Sequence, residues 1–199
     1  MAVVHCLGTG LVGAWVVKRL AAAGHEVHAY DLHPHNVLGV DGVTAHSCDL
    51  FDDMTPFQQN GPVDMVVNML PGSIGHAATT ILAESPYRVV DLSFSAHTPD
   101  RDDEKARDYG ATILWDVGIA PGLSNMLLSI ADRRIGPLQK AEVWVGGNPT
   151  GPFGEWSYMA PFSPIDVIAE YTRPARVVRD GEEVVLPALS LRHMVDTGE

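Results

Sequence analysis

After Met1 the chain runs Ala2-Val3-Val4-His5-Cys6-Leu7-Gly8-Thr9-Gly10-Leu11-Val12-Gly13 and, after 12 intervening residues, Glu26-Val27-His28-Ala29-Tyr30-Asp31. Ala2–Leu7 is a short apolar run stopped by Gly8, which reads as a strand ending in a turn. Leu11–Ala23 has helical composition and meets Gly24, a residue suited to the left-handed position just past a helix end. Glu26–Tyr30 alternates into a second strand that closes on Asp31. Strand, glycine turn, helix and strand in this order predict a βαβ unit with a right-handed crossover.

Within that unit, Gly8-Thr9-Gly10-Leu11-Val12-Gly13 matches G-x-G-x-x-G. The pattern is weak alone and informative between a strand and a helix. Gly8 permits the tight turn, Gly10 lets the backbone approach a pyrophosphate, and Gly13 allows close helix–strand packing. Phosphates would meet free amides at the positive end of the helix dipole. Asp31 lies 18 residues after Gly13 at the end of the second strand, where a carboxylate accepts hydrogen bonds from ribose hydroxyls. A 2′-phosphate there would be repelled, and Leu32-His33-Pro34-His35 offers no Arg or Lys to attract it. These residues point to NAD in preference to NADP. His33 and His35 read as members of a solvated loop, not metal ligands, and no metal site is expected.

Further along, a weaker strand is expected at Val43–His46 and an apolar one, covered on both faces, at Val63–Met69. Ser73–Glu84 reads as a helix, Arg88–Leu92 as a strand, Pro99–Tyr109 as a charged surface helix and Ala111–Trp115 as a sixth strand. Six strands with crossover helices predict an α/β fold, a Rossmann-type doubly wound parallel sheet. After Pro121 the pattern changes. Leu123–Ile135 reads as a helix and Ala141–Val145 as a strand, before the Gly- and Pro-rich stretch Gly146–Gly154. Ser163–Tyr171 reads as a helix with Ser163 as N-cap and Pro164 at its first position. Arg176–Val178 and Glu183–Leu186 flank Asp180-Gly181, a hairpin signal. The expected organisation is a nucleotide-binding domain over 1–122 and a partial α+β domain over 123–199, incomplete because so few elements make a poor core.

Composition bounds the function. The 199 residues are 46% hydrophobic and 19% charged, which suits a folded core. A formal net charge of −12 argues against nucleic acid and anionic membranes as partners. No apolar run approaches the ~20 residues that span a bilayer. The first strand begins at Ala2, leaving no room for a signal peptide, so a cytoplasmic location is expected. Cys6 and Cys48 are too few for a disulfide framework or a four-cysteine zinc site, and read as buried small hydrophobes.

Ligands in open α/β sheets lie beyond the C-terminal strand ends. Asn68-Met69-Leu70-Pro71-Gly72, Asp91-Leu92-Ser93-Phe94-Ser95 and Asp116-Val117-Gly118 occupy those positions and are expected to converge near a nicotinamide. From them Asn68, Leu70, Pro71, Gly72, Ser93 and Gly118 join Gly8, Thr9, Gly10, Leu11, Val12, Gly13 and Asp31 as candidate cofactor contacts. Each also has a plain reading as a turn or cap residue.

Asp116-Val117-Gly118-Ile119-Ala120-Pro121-Gly122-Leu123-Ser124-Asn125 resembles the segment linking two domains in the saccharopine dehydrogenase family, which includes saccharopine reductases and lysine 6-dehydrogenases. Likeness continues through Val66–Gly72, Val89–Ser95, Trp144–Gly147, Phe162–Pro164, Glu170–Ala175, Arg179–Gly181 and Pro187–Ser190. The resemblance implies an NAD(P)-dependent oxidoreductase acting on a carbon–nitrogen bond of an amino acid, with hydride transfer through an imine and a second domain that dimerises. Family members run on well past Ser190, and Leu191–Glu199 departs from their pattern, so a truncated copy that binds NAD without turnover is the alternative expectation.

For catalysis Asp116 and Asp91 are the candidates by position, each with turn capping as the competing role. Arg173 is a candidate clamp for a substrate carboxylate, with an ion pair to Glu170 as the competing role. Tyr158 and His97 are weaker acid–base candidates, and His76 reads as structural. A short-chain or hydroxy-acid dehydrogenase is a poorer fit. There is no Tyr-x-x-x-Lys pair, and Lys occurs only at positions 18, 105 and 140. The expected partners are a small amino-acid substrate and a second copy of the chain.

Overall fold

A computed structural model of the chain describes residues 1–50, 61–93, 97–145, 151, 164–191 and 194. The chain divides into two compact units, Met1–Gly146 and Gly147–Glu199. In the first, β1 (Val3–Leu7), β2 (Glu26–Asp31), β3 (Val43–Ser47), β4 (Met65–Asn68), β5 (Arg88–Asp91) and β6 (Thr112–Leu114) form one sheet in the order β3-β2-β1-β4-β5-β6. Every ladder is parallel. This is the doubly wound Rossmann arrangement, with the strand order reversing between β1 and β4. The six strands are those expected, with ends shifted by a few residues.

Parallel strands need crossovers, and α1 (Leu11–Ala22) and α2 (Gly72–Leu82) supply the buried helical cover. In contrast, α3 (Asp103–Tyr109) and α4 (Leu123–Ile135), the latter following the last strand, bury no residue fully. Successive strand residues point to opposite faces, so the apolar runs divide into two cores. Val4, Cys6, Val27, Ala29 and Val67 pack with Ala14 and Val17 of α1. Leu7, Tyr30, Val66 and Val89 pack with Ala78 and Leu82 of α2. Val17, Tyr30 and Leu82 have no exposed surface, and each such side chain contributes roughly 1.5–3 kcal/mol of burial. On the second face a ring stack crosses β1–β3. His5 lies 5.0 Å from His28, His28 Nδ1 meets His46 Nε2 at 3.0 Å, and His46 stacks on Tyr30 at 4.4 Å.

The helix ends follow local chemistry. Gly24 (φ +83°) and Gly110 (φ +77°) take the left-handed position past α1 and α3. The charged helix expected over Pro99–Tyr109 divides into a 3₁₀ turn, Pro99–Asp102, and α3. One expected strand is absent: Ala141–Val145 forms no ladder among the described residues. All five of those residues are exposed, and an apolar run becomes a strand only where a neighbouring strand accepts its backbone bonds.

In the second unit, α5 (Pro164–Thr172) precedes an antiparallel hairpin of β7 (Ala175–Arg179) and β8 (Glu182–Leu186). Asp180 and Gly181 join them with φ of +53° and +85°, the type I′ geometry that matches strand twist. The expected N-cap, Ser163, lies outside the described residues. The expected domain boundary at 122/123 would put α4 with the second region, whereas contacts group α4 with the first unit.

Candidate cofactor site

The glycine loop is built around three different demands. Gly8 has φ +91°, and a Cβ there would lie 2.9 Å from the Met69 carbonyl oxygen. Its amide donates to the Tyr30 carbonyl at 2.8 Å, so the loop is tied to the end of β2. A Cβ on Gly13 would overlap the Gly8 carbonyl, whereas one on Gly10 meets nothing within 4 Å. Gly10 is therefore open space at the head of α1. The first helical bond runs from Ala14 N to Gly10 O at 2.9 Å, leaving the amides of Leu11, Val12 and Gly13 without intrahelical acceptors. Leu11 and Val12 are exposed there. These residues fit a bound pyrophosphate.

Asp31 closes the other side. Its Oδ2 accepts from the Thr9 amide at 2.6 Å and its Oδ1 from the His33 amide at 2.8 Å. Burial pushes its carboxyl up, but the His33 and Thr9 amides outweigh that and hold it below the ordinary value. It is charged at neutral pH, and a carboxylate has lone pairs left for two ribose hydroxyls. Asn36, in the 3₁₀ turn Pro34–Val37, donates to the Thr9 carbonyl at 3.0 Å.

Beyond β4 and β5 the candidates join one buried network. Asn68, fully buried, donates to the Gly75 carbonyl at 2.9 Å and to Thr79 Oγ1 at 3.1 Å, and accepts from the Leu70 amide at 3.3 Å. Thr79 Oγ1 donates to Asp91 Oδ2 at 2.5 Å, and the Ser93 amide donates to Asp91 Oδ1 at 2.7 Å. Asp91 is 2% exposed, and burial raises its carboxyl against these bonds. Asn68 and Asp91 thus act as ties between strand ends and α2. Pro71 precedes α2, its carbonyl accepting from the Gly75 amide at 2.7 Å, and Gly72 is the first residue of that helix. Ser93 packs on Gly75 so closely that a Cβ there would overlap it. Its hydroxyl is buried beside the Asp91 carboxylate, whose charged form it favours.

Asp116 follows β6 at φ +56° and is half-buried. The Val117 amide donates to the Asp91 carbonyl at 3.0 Å, so this segment joins the same rim. Gly118 N donates to Pro121 O at 3.1 Å and Gly118 O accepts from Leu123 N at 2.9 Å. Gly122 N donates to Asn125 Oδ1 at 3.1 Å, half of a capping box at the start of α4. The strand-end segments therefore meet on one edge of the sheet, beside the glycine loop. Arg173 lies in the second unit, just past α5. Phe94, Ser95 and Tyr158 lie outside the described residues.

Several residues of this region gave no motif signal. Thr79, Gly75 and Asn36 matter only through partners distant in sequence. Arg101 contacts His76, donates to the Thr80 hydroxyl at 3.2 Å and lies 3.6 Å from Asp102. Burial, then the charge of Arg101, holds His76 below the usual imidazole range. Among the described residues no three His, Cys, Asp or Glu side chains are placed to hold a metal ion, and no helix is long and apolar enough to cross a membrane. An open hollow of about 500 Å³ lies at the opposite sheet edge, near Met1, His25 and Asp41. No helix N-terminus faces that edge from α1.

Comparison with described protein families finds no match. By sequence, the chain is 24% identical over 152 residues to alpha-aminoadipic semialdehyde synthase of Arabidopsis thaliana. That alignment covers 73% of this chain and 14% of the plant protein. By structure, it is similar to the WlbA dehydrogenases of Chromobacterium violaceum and Bordetella pertussis, both solved with NADH and UDP-GlcNAcA. The TM-scores are 0.51 and 0.50, each at 14% identity. They cover 66% and 67% of this chain, and 39% and 42% of theirs. At that identity the likeness establishes the Rossmann fold.

Proposed function

We propose that this chain is an NAD-dependent oxidoreductase acting on a carbon–nitrogen bond of an amino acid of the saccharopine or lysine type. The observation that carries the cofactor half is the Asp31 carboxylate, seated on the Thr9 amide beside the open N-terminus of α1. The charged Asp31 would repel a 2′-phosphate, and residues 32–37 hold no Lys or Arg to offset it, which favours NAD over NADP. The similarity to the WlbA dehydrogenases solved with NADH supports a nicotinamide dinucleotide. The amino-acid half rests on the Asp116–Asn125 segment and on the likeness to the Arabidopsis synthase, an enzyme named for an amino-acid semialdehyde.

Gly10 and the amides of Leu11, Val12 and Gly13 would hold the pyrophosphate, and Asp31 the adenosine ribose. When bound, the cofactor supplies the hydride acceptor that takes an amine carbon to the imine level. Asp116, half-buried on the rim, is the proposed group that attracts the substrate ammonium and accepts its proton. The Asp91 network keeps the β4, β5 and β6 ends in register around it. Arg173 is the proposed clamp for the substrate carboxylate, and two copies of the chain are the proposed assembly.

The test is to mix the protein with NAD and lysine or saccharopine and follow absorbance at the NADH band. Turnover is expected, with Asp116→Asn slowing it by about 10²-fold or more. Unchanged turnover in that variant removes Asp116 from the mechanism. Calorimetric NAD binding without turnover on a broad amine panel would replace the enzyme reading with a binding protein. Absence of NAD binding would overturn both.

A further inference from the structure

We propose that Asn36 is a positioning residue of the cofactor loop, turning the Gly10 amide toward the crevice in which a pyrophosphate would lie. The inference rests on the nucleotide reading above and adds to it a residue outside the glycine motif. Thr9 is 1% exposed and is held on both sides. Its amide donates to Asp31 at 2.6 Å, and its carbonyl accepts from Asn36 at 3.0 Å. Asn36 follows β2 in a short turn anchored by the buried Pro34 and Val37. The Thr9 carbonyl therefore points to the β2 side of β1.

A trans peptide is planar, with its N–H antiparallel to its C=O. The amide of the Thr9–Gly10 peptide accordingly points away from β2. The neighbour of β1 on that other side is β4, and the strand order reverses there. Gly10 is exposed, and apart from its chain neighbours no heavy atom stands within 4 Å of where its Cβ would be, so a ligand can approach the backbone at this position. Glycine costs little to rotate, and this peptide has Gly10 on one side. Without the Asn36 bond it could flip and turn its carbonyl, the wrong charge, toward the phosphates. Asn36 removes that alternative before the ligand arrives.

The effect should therefore fall on the pyrophosphate and spare the nucleoside. Asn36→Ala and the similar-sized Asn36→Leu, both lacking the donor, are titrated with NAD and ADP by calorimetry. Adenosine binding is followed by ligand-observed NMR. Both variants should weaken NAD and ADP about three- to tenfold, the worth of one hydrogen bond, and leave adenosine within about twofold. Their thermal melts should fall by no more than a few degrees, about the cost of the one hydrogen bond to Thr9. Unchanged affinity for NAD and ADP would overturn the proposal while leaving the cofactor reading intact. An equal loss for adenosine would also overturn it, making Asn36 a nucleoside contact. A parent chain that binds neither NAD nor ADP would overturn the cofactor reading itself.

Discussion

At the scale of single residues, identical glycines do different work. Gly13 is glycine because the Gly8 carbonyl occupies the place of its Cβ, so its demand comes from the fold. Gly10 is glycine although its Cβ would touch nothing, so its demand comes from whatever approaches the loop. The two separate experimentally. Gly13→Ala should lower stability by about 1–3 kcal/mol, the cost of overpacking, measured by denaturant unfolding. Gly10→Ala should melt as the parent does, because its φ of −60° suits alanine, yet bind NAD at least tenfold more weakly by calorimetry. The reverse pattern would mean that the loop is shaped by packing alone.

At the scale of elements, β2 carries both Asp31, the proposed ribose contact, and the two central rings of the stack, His28 and Tyr30. His46 on β3 stacks on Tyr30 and shares a hydrogen bond with His28. Burial, then the neighbouring His28, holds its imidazole below the usual range. A lowered imidazole favours the neutral form in the folded chain. Its contribution is therefore full above the unfolded value of about 6.5 and is lost as pH falls below it. Thermal stability should decline between about pH 7 and 5, and His46→Phe, which keeps the stack, should flatten part of that decline. A slope unchanged in the variant would assign the effect to other groups, His76 among them. The β4–α2–β5 junction shows the same dependence on partners: Thr79 is an ordinary helix residue until Asn68 and Asp91 meet on its hydroxyl.

At the scale of the molecule, every candidate cofactor residue from Gly8 to Gly118 falls within Met1–Gly146. That unit alone has two packed faces and a complete ladder of six strands. Residues 1–146 expressed alone should unfold cooperatively and bind ADP within about threefold of the whole chain. A loss beyond about tenfold would show that residues from 147 onward take part in the nucleotide site. Most of this unit was legible in the order of residues. Strands read as apolar runs because both faces of a parallel sheet are covered, and the glycine loop and Asp31 read from their spacing because turn, helix and ribose distances fix it. The hairpin at Asp180-Gly181 read from two residues, since few others tolerate positive φ in succession. Local order could not reveal that Ala141–Val145 joins no ladder among the described residues, or that Asn68 and Asp91 spend their side chains on Thr79, Gly75 and Ser93. Nor could it show Asn36 holding Thr9 from 27 residues away. Those features depend on which backbone and side-chain groups fold into reach of one another, and hydrogen bonds across long sequence separations exist only once the sheet has brought their ends together.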